Sequence, residues 1–166
     1  YHWAIQEWIP MQMVLDVPAS TRTSSTFCKS WLWTTILNAV TGSTDFNARN
    51  VGWDGQRCVR YDLNPCPEES VAFATQRKVG IATAQRIKAD LLQSLEQGIK
   101  ELAVRELTQG LDRVREVLQP KSADSPIKAQ IRHATLHFFE GCPLVQASDA
   151  EAQLQHMVQL ARTYDK

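Results

Sequence analysis

Apolar residues return every three or four positions between residues 84 and 118: Ala84, Ile87, Leu91, Leu95, Ile99, Ala103, Leu107, Leu111, Val114 and Leu118. That period is one face of an α-helix. The spacing averages slightly above the helical repeat, so the stripe drifts around the axis. Gly98 and Gly110 are where the pattern predicts the helix to bend or break. Both glycines sit in an echo, Leu95-Glu-Gln-Gly-Ile-Lys-Glu-Leu against Leu107-Thr-Gln-Gly-Leu-Asp-Arg-Val. Its period is too short for a solenoid repeat and reads as coincidence or local duplication. Glu96–Lys100 and Glu101–Arg105 have the spacing of ion pairs on the outer face.

The punctuation around this stripe is equally readable. Pro67 fits a first helical position, with Glu68 and Glu69 at the positive end of the helix dipole. Pro120 ends the segment. Ser125-Pro126 opens a further helix that reaches Glu140 and is closed by Gly141. Its expected core stripe is Ile127, Ile131, Ala134 and Phe138. Ser148 to Glu151 forms a capping box for a last helix, whose seam is Ala150, Leu154, Met157, Ala161 and Tyr164.

Upstream, residues 3–15 are apolar and broken at Pro10. A Ser/Thr-rich connector follows over residues 20–26 and offers several N-caps. From Phe27 the spacing of Trp33, Ile36, Leu37 and Val40 predicts a short helix, stopped by Gly42. Asp54-Gly55 has the chemistry of a two-residue hairpin turn, with Val59, Tyr61 and Leu63 alternating after it. The expected fold class is therefore mainly α: an antiparallel bundle of three or four helices over residues 67–166. A loop-rich, Trp- and Cys-rich region, residues 1–66, packs on it and carries a short helix and, over residues 51–63, a small hairpin or an extended loop.

Composition narrows the classes. Of 166 residues, 43% are hydrophobic and 22% charged, an ordinary globular balance that argues against disorder. Net charge is +0, and no dense Lys/Arg block exists to release counterions from phosphates, which disfavours nucleic acid as a partner. No apolar run approaches the roughly 18 residues of a membrane span. The first residue is Tyr1 rather than Met, the start expected of a processed form or of a piece cut from a longer chain, and no targeting segment is visible.

Candidate chemistry is sparse. Four cysteines, Cys28, Cys58, Cys66 and Cys142, allow two disulfides in an oxidising compartment, the favoured pairs being Cys58–Cys66 and Cys28–Cys142. In a reducing compartment they are small buried hydrophobes; extracytoplasmic and intracellular settings are balanced alternatives. Cys66 and Cys142 precede prolines, a context in which thiolates can ligate haem. Cys28, near a helix start, is a nucleophile candidate only if paired with a histidine. His133 and His137 lie four apart on one helix and are the metal-ligand candidates, although a site needs a third ligand. No hydrolase elbow, phosphate-binding loop or dinucleotide fingerprint occurs. The reading is of a non-enzyme without a cofactor.

Trp3, Trp8, Trp31, Trp33 and Trp53 all precede residue 67 and are interface candidates, with core packing as the competing role. The function expected is a non-enzymatic helical protein–protein interaction or assembly component, its partner another protein or a second copy. Two alternatives stand beside it: a secreted, disulfide-stapled signalling or effector protein, and a small helical metal- or haem-binding protein using His133 and His137.

Overall fold

A computed structural model describes residues 9–41, 48–60, 85–147, 149, 151–153 and 155–157. The protein is mainly α, with a three-stranded antiparallel sheet near its N-terminus. The order is β1 (Gln12–Met13), a 3-10 turn (Val14–Asp16), α1 (Ala19–Arg22) and α2 (Ser25–Thr41). A second 3-10 turn (Ala48–Asn50) leads into β2 (Val51–Trp53) and β3 (Cys58–Arg60). Then come α3 (Gln85–Glu101), α4 (Val104–Leu118), α5 (Pro126–Gly141) and the single turn α6 (Pro143–Gln146). Residues 151–153 and 155–157 are also helical.

In the sheet, Trp53 stands opposite both Gln12 and Cys58. The hairpin loop is four residues, Asp54–Arg57, rather than the two-residue turn expected at Asp54-Gly55. Asp54 organises it: its N–H donates to the Arg57 carbonyl, and its Oδ1 accepts the amides of Gln56 and Arg57, each at 2.8 Å. Those two amide bonds favour the ionised carboxyl and hold it below its usual range. Gly55 takes φ +102°, a conformation strained for any side chain. The alternation expected at Tyr61 and Leu63 lies outside the described residues.

α2 is surrounded by other elements. Ser24 caps it, its Oγ accepting the Phe27 amide at 3.3 Å. Of the stripe expected from spacing, Ile36 and Val40 are buried and Trp33 half-buried, but Leu37 is 38% exposed. Burial instead runs around the axis through Trp31, Leu32, Thr34, Thr35 and Ile36, the signature of a helix with neighbours on several sides. Its buried threonines stay satisfied by bonding back one turn, Thr34 to the Ser30 carbonyl and Thr35 to that of Trp31.

α3 and α4 form two arms around α2. α3 runs antiparallel: the Cys28 carbonyl lies against Gly98, and the Trp31 indole N–H donates to the Leu91 carbonyl at 3.2 Å. α4 runs parallel, with Lys29 Nζ 3.4 Å from Glu106 and the Trp33 ring against Gly110. The break between the arms falls at Leu102–Ala103, Ala103 being extended at φ −70°, ψ 142°. The two glycines are therefore not the bend; at Gly98 the backbone of α2 comes close to α3, and at Gly110 the end of the Trp33 ring reaches α4. A Cβ at Gly98 would stand 2.5 Å from the Cys28 carbonyl oxygen, and one at Gly110 would overlap the Trp33 ring. The break also separates Glu101 from Arg105, and Glu101 takes Gln97 Nε2 at 2.7 Å instead.

α4 and α5 pack antiparallel, tied by Arg115 Nε to Glu140 at 2.7 Å and by Arg132 to the Val117 carbonyl. α5 begins as expected, with Pro126 in its first turn and the Ser125 side chain accepting the Lys128 amide. The helix start at Pro67 lies outside the described residues. So does the last seam, except for Met157, which is buried. Among the described residues no helix is long and apolar enough to cross a membrane.

Candidate interaction surface

The face that α5 turns inward is not the one its aliphatic residues mark. Thr135 and Phe139 are buried, and Leu136 and Cys142 pack against the core. Ile127 and Ile131, expected in the core stripe, are 72% and 40% exposed, while Ala134 and Phe138 are half-buried. Phe139 wins because Arg115 of α4 covers its ring at 5.4 Å and pairs with Glu140 beside it. The helix therefore carries two apolar faces about 100° apart at 3.6 residues per turn, and only one is covered. Val117, 61% exposed at the end of α4, places a third large hydrophobic at the same end of the hairpin.

The loop between α4 and α5 is held by one carboxylate. Asp124, its side chain 3% exposed, accepts the Lys121 amide at 2.8 Å and lies 2.9 Å from Arg132 Nε and 3.3 Å from Lys128 Nζ. The amide bond, followed by the Lys128 bond and the two cations, holds its carboxyl below the usual range against the effect of burial. The tip of the hairpin is thus an ordered surface.

The remaining candidates separate in space. Cys28, Cys58 and Cys142 carry free thiols. Cys142 Sγ points at the Phe138 carbonyl at 3.3 Å and lies near those of Ala39 and Val40, at the far end of α2 from Cys28. Eleven residues of helix put Cys28 and Cys142 about 16 Å apart, well beyond disulfide reach. That overturns the expected Cys28–Cys142 bridge. Cys66, and with it the Cys58–Cys66 pairing and the haem context at that residue, lies outside the described residues. Burial pushes the Cys58 thiol up to about 12 and that of Cys142 up to about 11. Cys28 is raised as well, by burial and then by the Glu101 charge. The raised values keep these groups as thiols near neutrality in the unligated protein, which weighs against a reactive thiolate at rest.

His133 and His137 are both exposed on α5. No group of three or more His, Cys, Asp or Glu that could hold a metal occurs among the described residues. Trp31 and Trp53 are buried, the Trp53 ring tilted at 60° on Phe27 with centroids 5.2 Å apart, and Trp33 fills the hollow at Gly110. These three build the core; Trp3 and Trp8 lie outside the described residues. A pocket of about 350 Å³ between α1 and α3 has Cys28 and Ser94 among its lining. Both side chains are turned to the Arg22 carbonyl, at 3.3 and 2.8 Å, where they cap the end of α1. The surface that sequence reasoning missed, the outer flank of α5, was visible in it as a stripe assigned to the wrong side.

The chain matches no protein-family model, no curated protein and no solved structure.

Proposed function

We propose that this chain is a non-enzymatic protein–protein interaction or assembly component that docks through the tip of the α4–α5 hairpin. The observation that carries the reading is the exposed flank of Ile127 and Ile131, one helical turn apart on a helix whose neighbouring face, about 100° away, is already packed. Scaling the burial of two Ile side chains by their exposure gives about 2–3 kcal/mol available on docking, on the order of 100-fold in affinity. An ordered loop and capped helix start present that flank without an ordering cost at binding. The free, protonated thiols take support from the disulfide-stapled alternative at Cys28, Cys58 and Cys142.

Replacing Ile127 and Ile131 together with Glu tests the reading. The variant should keep the melting temperature and helicity of the parent and lose a stoichiometric partner that co-purifies with it. A fall of several degrees in melting temperature would show that both residues are packed within the chain. Retention of every co-purifying protein would show that the flank is not the docking surface.

A further inference from the structure

We infer that the segment docking on this tip is an acidic, amphipathic helix, an inference that rests on the interaction reading above. Between residues 117 and 133 the chain carries Lys121, Lys128 and Arg132 against a single carboxylate, Asp124. That carboxylate is enclosed, its side chain 3% exposed, and its bonds go to Lys128, Arg132 and the Lys121 amide. A chain of zero net charge thus concentrates a positive excess around Ile127, the most exposed isoleucine among the described residues. The start of α5 adds the positive end of a helix dipole, while Arg132 already answers the negative end of α4 at the Val117 carbonyl.

Ile127 and Ile131 make a ridge along the helix axis, which a partner helix fits by seating apolar residues of its own i, i+3, i+4, i+7 stripe on either side. Acidic residues flanking that stripe would face Lys121 and Lys128, the latter 61% exposed. The same charges argue against the other occupants. A second copy seated tip to tip brings two positive surfaces together. Anionic bilayers are recognised by clusters of about 4–8 basic residues, and the tip carries only Lys121, Lys128 and Arg132 between residues 117 and 133.

The test titrates the full chain into two fluorescein-labelled helical peptides of about 15 residues, four turns long. Each carries Leu at i, i+3, i+4 and i+7, and the flanking positions are Glu in one and Lys in the other. The Glu peptide should bind saturably, at least tenfold more tightly than the Lys peptide, and weaken as salt is raised. Lys121→Glu, whose side chain the loop does not use, should weaken the Glu peptide several-fold. Ile127→Glu with Ile131→Glu should abolish binding while melting stays unchanged. Equal binding of both peptides, lost in the isoleucine variant, would leave the docking surface standing and overturn the acidic partner. Binding of neither peptide would overturn the inference, as would preferential binding to phosphatidylserine-containing vesicles. Sedimentation showing a dimer that the isoleucine variant dissolves would assign the tip to a second copy and overturn it too.

Discussion

Gly98→Ala tests the close approach of α2 to α3. The added methyl would stand 2.5 Å from the Cys28 carbonyl oxygen and 3.0 Å from Leu32 Cβ. Ordinary contact begins near 3.4 Å, so α2 has to retreat by most of an ångström. The oxygen is backbone, and retreat from α3 pulls Trp31 from the Leu91 carbonyl. Overpacking of this kind costs about 1–3 kcal/mol, and the helix propensity gained by replacing glycine returns about 0.5–1. At mid-range the net is a destabilisation of about 1 kcal/mol, or a fall of about 2–4 °C in melting temperature. Gly141→Ala is the control: nothing lies within 4 Å of its added methyl, so it should stabilise by about 0.4–1 kcal/mol. Urea unfolding followed by tryptophan fluorescence reads both as midpoint shifts at constant slope. A Gly98→Ala protein that unfolds at or above the parent midpoint would refute the close approach of α2 to α3.

Asp124 should make the α4–α5 loop acid-sensitive. Its folded pKa lies below the ordinary 3.8, so its contribution is present above that value and lost as pH falls through the folded one. The melting difference between the parent and Asp124→Asn should be full at about pH 7 and shrink below about pH 4; a difference constant across that range contradicts the clip. Trp31→Phe removes the indole N–H donated to Leu91 and should cost about 0.5–1.5 kcal/mol, with no loss in denaturant midpoint as the contrary result. Cys28, Cys58 and Cys142 should resist iodoacetamide at neutral pH and label only on unfolding, as peptide mapping by mass would show; rapid labelling in the native state would contradict their raised pKa values.

What could be read in the sequence was its punctuation. Ser125-Pro126 starts α5 because a proline without an N–H and a serine acceptor are what a helix start needs. Asp54-Gly55 turns a hairpin because a short carboxylate can bond two amides and glycine tolerates positive φ. The break at Leu102–Ala103 carries no such mark. It falls within the drifting stripe, where each four-residue step advances about 40° past a full turn. One straight helix would carry Leu107 and Leu111 away from α2, whereas a break lets both arms face it. The twelve-residue echo, read as coincidence or local duplication, gives each arm a glycine at its contact with an α2 residue. α2 is buried around most of its circumference, so a periodicity search saw only one of its faces. On α5 the pattern chose the more aliphatic stripe, while packing chose the one holding Phe139, which meets Arg115.

The docking claim is tested most directly by placing a photo-crosslinking residue at Ile127 and, separately, at Gln109, an exposed position in the middle of α4. Irradiation in the cells that make the protein should yield one discrete adduct from position 127, none from position 109, and none from position 127 when Ile131 is Glu. Adducts of equal yield from both positions, or none from either, would contradict an interaction surface at the tip of the α4–α5 hairpin.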